Sequence, residues 1–323
     1  MKEQLESMDG QTSLNCQTFR PDRYRDFKGL SKESSIIGRG AGLSYVAASF
    51  CEKASCVDMK SFDRILMFDP NKNEIEVEAG TSLGKLYNFL TPRGFQIPIQ
   101  PGHPQITVGG CVAFNIYGKN QFRDGIFEEC VQEILLFHPA YGKLCLSRVS
   151  HPEWFDLTLG GMGLTGLILS VKLKLRKLAG SSVWIEHLKV SSLEETADIL
   201  SRFVNDADQI YSWNDLSIFN RKGAGFVSLG NVNGEIRLSK SLQYKAFSSC
   251  GPKPWMIGML NPLTVPGINS IYRVSSLTLN RKFNTSLFHA QFPIAKKGFY
   301  YKAHGRHGFI ESQSPEHGSN TTS

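Results

Sequence analysis

The chain has 323 residues, 41% of them apolar, a formal charge of +7 and a pI near 9. That length holds two domains, each able to bury its own core, and the apolar fraction is that of a soluble globular protein. The basic balance suits an anionic cofactor, an anionic substrate, nucleic acid or an acidic membrane surface, without choosing among them. Seven cysteines in no CxxC or zinc-like spacing point to reduced thiols rather than a disulfide framework or a metal site. The amino-terminal stretch is polar, with no signal-peptide core, and no later run is apolar for long enough to span a bilayer. The expectation is a cytoplasmic protein, with attachment at the inner membrane face left open.

Residues 1–18 read as a polar extension, and residues 19–179 as alternating strands and short helices. The first marked stretch follows Ile36-Ile37 and runs Gly38-Arg39-Gly40-Ala41-Gly42-Leu43-Ser44-Tyr45. Glycines at alternate positions let a backbone turn its N–H groups inward around a phosphate, although a tight turn between strands looks the same. Residues 65–68 and 74–77 alternate as a hairpin about Asp69-Pro70-Asn71-Lys72. Thr81 or Ser82 then caps a helix that carries Leu83, Leu86, Tyr87 and Leu90 on one face and stops at Pro92 and Gly94.

The second glycine-bearing stretch, Pro101-Gly102-His103-Pro104-Gln105-Ile106-Thr107-Val108-Gly109-Gly110, opens a helix over 111–117. A helix start of this kind offers unpaired N–H groups to an anion and lets a flat ligand approach the backbone. His103 there is either a cofactor contact or a turn filler. Tyr117-Gly118-Lys119-Asn120 follows as a polar cluster with one cation. A hairpin over 134–146 and a short helix over 152–159 precede Gly160-Gly161-Met162-Gly163-Leu164-Thr165-Gly166. That stretch leads into a strand in which Leu169, Val171, Leu173 and Leu175 face the core while Ser170, Lys172, Lys174 and Arg176 face solvent.

Ala179-Gly180-Ser181-Ser182 reads as a boundary. Beyond it, 180–310 is a second, α+β domain with a strand over 183–190, a capping box from Ser192 to Glu195, and strands near 213–219, 225–229 and 235–238. Trp213 is either core or a pocket aromatic. Residues 255–272 read as a long loop that covers the core, closes over substrate or touches a membrane. His304 and His307 read as solvated, and the polar residues 311–323 as disordered.

There is no GxSxG elbow, HExxH pair or Walker ending, and the first loop lacks the GxGxxG spacing of a dinucleotide-binding helix. Three motifs in order, GRGAGLSY, PGHPQITVGG with NIYGKN, and GGMGLTGLI, resemble the flavoproteins of vanillyl-alcohol oxidase type. Within these they are most similar to the decaprenylphosphoryl-ribose 2'-oxidase group. The resemblance covers about residues 19–310. It implies an α+β fold: a PCMH-type FAD-binding domain of two α/β subdomains, then a substrate domain that would be incomplete here, because family members continue past the GFIE-like segment.

Carried over by motif, the resemblance implies that Arg39, Gly40, Ala41, Gly42, Leu43, Ser44 and Tyr45 hold the FAD diphosphate. Gly102, His103, Thr107, Val108, Gly109 and Gly110 form a second wall. Tyr117, Gly118, Lys119 and Asn120 lie beside the flavin ring, and Ile168 lies on the adenine side. Tyr117 and Lys119 are the candidate catalytic residues. Leu43 stands where covalent relatives carry histidine, so the FAD is expected to be non-covalent. The implied reaction is hydride removal from a secondary alcohol of a sugar or polyprenyl-linked sugar, in cell-wall or polysaccharide biosynthesis, with a separate epimerase-type reductase as a partner. An impaired, flavin-holding chain completed by a partner is the alternative. No nucleic-acid module is recognised.

Overall fold

The computed structural model describes residues 1–8, 12–29, 35–45, 48–217, 220, 222–235, 258–293 and 303–305. Among the described residues, three larger sheets carry the fold. The first has the order β1-β2-β4-β3, from Lys2–Glu6 (β1), Ser13–Phe19 (β2), Ile36–Arg39 (β3) and Ser55–Asp58 (β4). β1 and β2 pair antiparallel, while β4 runs parallel to both β2 and β3. Most of the described residues of 1–18, read as an extension, therefore belong to the sheet. Leu5, Leu14 and Cys16 pack with Ile37, Phe50 and Cys56 beneath the first glycine loop.

The central sheet is antiparallel, β5-β6-β10-β8-β9, formed by Ile65–Asp69 (β5), Glu74–Glu78 (β6), Val131–His138 (β8), Gly142–Ser147 (β9) and Leu167–Lys174 (β10). A short pair, Phe95–Gln96 (β7) with Arg176–Lys177 (β11), closes one end. Helix α1, Leu83–Leu90, starts where Ser82 accepts a hydrogen bond from the Lys85 N–H, and it buries Leu83, Leu86, Tyr87 and Leu90. Helices α2 (Val108–Phe114), α3 (Gln121–Asp124) and α4 (Pro152–Thr158) are short.

The strand β10 departs from simple alternation. A register shift between Ile168 and Ser170 lets Leu167 and Leu169 pack with Phe27, Phe62 and Phe137, while Ile168, Val171 and Leu173 join the larger core on the other side. A bulge re-aims the side chains that follow it. The strand is thus buried on both faces over most of its length, and Lys172, expected in solvent, is half-buried between Glu74 and Glu133.

The third sheet, β13-β14-β12-β15, is also antiparallel and comprises Ser182–Val190 (β12), Gln209–Asn214 (β13), Gly225–Asn233 (β14) and Lys282–Ser286 (β15). Helix α5, Leu193–Phe203, begins at Ser192, whose hydroxyl accepts from the Glu195 N–H; the Glu195 carboxylate returns to Ser191 rather than to the capping residue. Residues 265–272, the latter part of the expected long loop, instead begin helix α6 (Val265–Thr278), and α7 is Leu287–Gln291. Most of the expected strand at 235–238, residues 255–257, His307 and the tail 311–323 lie outside the described residues. The two expected domains share one core: Tyr87 of α1 packs edge-on against Phe288 and Phe292, alongside Val183 and Ile185.

Candidate functional site

A cavity of about 590 Å³ lies between the first glycine loop and the second. The β3–β4 pairing delivers the chain to Gly40 at the sheet's end, where the strand stops and the backbone turns with Gly42 at φ +73°. A side chain at Gly42 would run into the Arg39 guanidinium, its Cβ 2.5 Å from Nη2. At Gly40 a Cβ would collide with the Thr107 side chain, so the two loops approach this closely because position 40 has no side chain.

Among the described residues, none of Gly40, Ala41, Gly42 and Leu43 gives its backbone N–H to another protein group. Four donors in one turn, half-buried and facing a cavity, form a cradle for an anion. Arg39 stands at its edge. Burial lowers its pKa, and its hydrogen bonds to described residues go to neutral oxygens, Ser49 Oγ at 2.8 Å and the Glu6 carbonyl at 3.2 Å. A cation so placed is stabilised by an incoming negative charge. The amino-terminal hairpin supports the turn, since the Met8 N–H donates to the Ser44 carbonyl.

The second wall works differently. Thr107 caps α2 by accepting from the Gly110 N–H, the Val108 N–H donates to the Thr81 carbonyl, and the Gly109 N–H donates to the Ala79 carbonyl at 2.8 Å. The donors expected to be free for an anion are therefore engaged in pinning α2 onto the β6–α1 connection. What Gly109 and Gly110 contribute is a flat surface.

Arg39 to Tyr45, Gly102, Thr107, Gly109, Gly110, Tyr117 and Ile168 line the cavity. Val108 does not; it is fully buried in the core. The His103 ring turns into its own loop, where Nδ1 accepts from the Gln105 N–H and burial lowers its pKa. Gly118, Lys119 and Asn120 also fall outside it. Asn120 donates to the Pro98 carbonyl and to Asp124, and Lys119 Nζ donates to the Ala290 carbonyl at 2.8 Å and lies 4.7 Å from the Tyr211 ring centre. Lys119 lines a smaller polar cavity of about 90 Å³ with Arg123, Arg176 and Gln291, at the junction with the third sheet. There Asp124 receives bonds from Arg176, Arg123 and Asn120; burial alone would raise its pKa, and these bonds hold it well below the ordinary carboxylate value.

Sequence reasoning missed several lining residues. Met162, Gly163 and Gly166 belong to the third glycine motif, which signalled the site while only Ile168 was taken from it. Met59, Ala79 and Phe114 carry no local signal, because β4, β6 and α2 bring them in through tertiary pairing.

A turn of N–H groups with no partner among the described residues, beside a half-buried arginine and across a cavity from a second glycine wall, could hold a large phosphate-bearing cofactor. Residues 30–145 match the family model described as FAD binding domain. The chain is 29% identical over 290 residues to the decaprenylphosphoryl-beta-D-ribose oxidase of Mycolicibacterium smegmatis, covering 86% of this chain and 62% of that one. It is 26% identical over 181 residues to the mitochondrial L-galactono-1,4-lactone dehydrogenase of Arabidopsis thaliana, covering 54% and 29%. Residues 30–145 thus form an FAD binding domain in a chain similar to FAD-linked oxidases, and its cofactor is FAD. It spans 62% of the length of the first of these relatives.

Proposed function

We propose that the protein is an FAD-dependent oxidoreductase that converts a secondary alcohol of a sugar, or of a lipid-linked sugar phosphate, to a ketone. The observation that carries the cofactor half of this reading is the run of free N–H donors from Gly40 to Leu43 beside Arg39. The substrate half rests on the relatives, whose names are those of a decaprenylphosphoryl-ribose oxidase and an aldonolactone dehydrogenase.

Bound FAD would supply a hydride acceptor, with the alcohol proton passing to a base. The chain's own residues would bind and orient it. Gly40 to Leu43 would hold the diphosphate, with Arg39 offsetting its charge; Gly109, Gly110 and Ile168 would give the cofactor a flat bed. Leu43 presents no imidazole, so attachment at that position is non-covalent. Tyr117, exposed at the cavity's rim beside Phe114 and Met162, is the side chain placed to meet the substrate ring. Lys119, two residues on, acts as a positioning residue that locks the third sheet to the cofactor domain through Ala290 and Tyr211. The ketone would pass to a separate epimerase-type reductase.

The test is anaerobic. Yellow protein mixed with polyprenyl-phosphate-linked or free sugars should bleach with at least one of them, and a purified protein that stays oxidised with all, while retaining flavin, overturns the enzymatic reading. Retention of flavin without bleaching is the outcome for the alternative, a flavin-holding chain completed by a partner, which the exposure of Phe114, Tyr117 and Met162 at the rim favours.

A further inference from the structure

Helix α6 turns polar side chains inward and several apolar ones outward. Its inward side chains include Asn269, which donates to the buried Asp215 carboxylate at 2.7 Å, and the buried Ser276, whose carbonyl pairs with the His187 ring. Tyr272 lies edge-on to Trp213 and stays partly exposed. Several apolar residues point the other way. Ile271 is 71% exposed and Val274 57%, one turn apart on the same stripe, with Ile268 beside them. Leu263, just before the helix, is 91% exposed, and Leu279, just after it, 82%. Singly exposed leucines need no explanation, whereas a contiguous apolar stripe with its ends extended marks a contact surface.

Charge says what the contact is. Residues 236–310 carry eleven Lys and Arg side chains and no Asp or Glu. Outside that stretch acidic side chains outnumber basic ones by 29 to 25, so the whole formal charge of +7 comes from the segment that contains α6. Arg273 lies on the helix and Arg281 just beyond its end; among the described residues of this segment Lys282 is the one cation in an ion pair, with Glu186 at 3.0 Å. An apolar helix face with Arg273 on the helix, Arg281 just beyond it and no acidic residue in its own stretch of sequence matches an anionic lipid bilayer, which takes the stripe into its headgroup boundary and the cations onto its surface. A second protein copy would bring the same positive charge to the contact and be repelled.

We infer that α6 docks the protein on an anionic membrane surface by inserting Leu263, Ile271, Val274 and Leu279. The docking also sets the site. The inner side of α6 rests on Trp213 of β13, and Tyr211 of the same strand lies under Lys119, two residues from Tyr117 at the cavity's rim. A substrate whose lipid tail stays in the bilayer would then present its head group along β13 toward the flavin. This last step deepens the substrate reading above; the docking itself does not depend on it.

The test uses the FAD-loaded protein and no substrate. In flotation with vesicles of phosphatidylcholine, alone or with about one third phosphatidylglycerol, binding should require the anionic lipid and weaken several-fold between low and high salt. Ile271→Ser with Val274→Ser should lower partitioning by about tenfold or more while the flavin absorbance stays at its native level. Arg273→Gln with Arg281→Gln should weaken binding to anionic vesicles with the apolar stripe intact. Absence of binding to anionic vesicles by the flavin-loaded protein, or binding that the serine pair leaves unchanged, overturns the proposal. So does a concentration-dependent dimer, seen by light scattering without vesicles, that the serine pair abolishes. Failure of substrate bleaching with docking intact would remove the substrate reading alone.

Discussion

Gly40 and Gly42 face the cavity from one wall, Gly109 and Gly110 from the other, and the two pairs do opposite things. On the first wall the chain has left its sheet, so the N–H groups from Gly40 to Leu43 have no partner among the described residues, and these residues line the cavity. On the second wall the helix α2 begins against the β6–α1 connection, and its first N–H groups go to Thr81, Ala79 and Thr107. Glycine in the first wall leaves backbone donors available to a ligand. In the second it serves packing, because a Cβ on Gly109 would sit 2.9 Å from the Ala79 methyl. Similar composition therefore carries no common role; what decides it is where each segment's backbone donors are used.

Substitutions can break that distinction. The largest effect is expected from Gly40→Val, whose side chain would be driven into Thr107 and close the gap between the walls: FAD affinity falls by about 100-fold, an overpacking cost of ~3 kcal/mol, read as flavin lost on gel filtration. Arg39→Gln comes next. Losing one charge-assisted contact to a phosphate costs about 2 kcal/mol, so affinity drops on the order of thirtyfold while the melting temperature of the FAD-free protein stays close to native.

Gly109→Val should show the reverse pattern. It lowers the stability of the FAD-free protein by about 1–3 kcal/mol in denaturant titration, and molecules that remain folded bind FAD within a few-fold of native. Thr107→Val removes the α2 cap and costs about 1 kcal/mol of stability.

The smallest effect is one of pH. Burial would raise the pKa of Glu78, but hydrogen bonds from Arg64 and Tyr24 outweigh it and the net shift is downward, as it is for Asp124. A carboxylate whose folded pKa is depressed adds stability above its ordinary value near 4, and that stability is lost as pH falls through the folded value. Asp124→Asn should therefore flatten the acid limb of a melting-temperature profile below about pH 4 and leave the neutral limb parallel to native. An unchanged acid limb would remove Asp124 from the account of how the third sheet is held.

Much of this was legible in the residues. Alternation and capping residues located β5, β6, α1, β8, β9 and β12, because each rests on local patterns that tertiary contacts reinforce. The three glycine motifs located the cavity. What escaped had non-local causes. The bulge at Ile168 that splits β10 between two cores has no sequence mark. The strands β1 and β2 looked like an extension because their alternation is weak, KEQLE and SLNCQTF, and their value lies in a parallel partner 38 residues on, Gln17 with Ser55. Lys119 was read toward the flavin from its neighbours, yet its Nζ donates to the carbonyl of Ala290, 171 residues on, a partner no local pattern announces. Helix α6 was partly hidden in an expected loop, since Pro, Gly and outward apolar residues imitate one.

The most direct measurement compares FAD with riboflavin, which keeps the ring system and lacks the diphosphate. In fluorescence titrations of the FAD-free protein, a diphosphate held by Gly40 to Leu43 and Arg39 predicts that riboflavin binds at least about 100-fold more weakly than FAD, and that Arg39→Gln narrows the gap by roughly the thirtyfold it costs FAD. Equal affinities for the two flavins, or a gap that Arg39→Gln leaves unchanged, would contradict the assignment of the first glycine loop as the phosphate cradle.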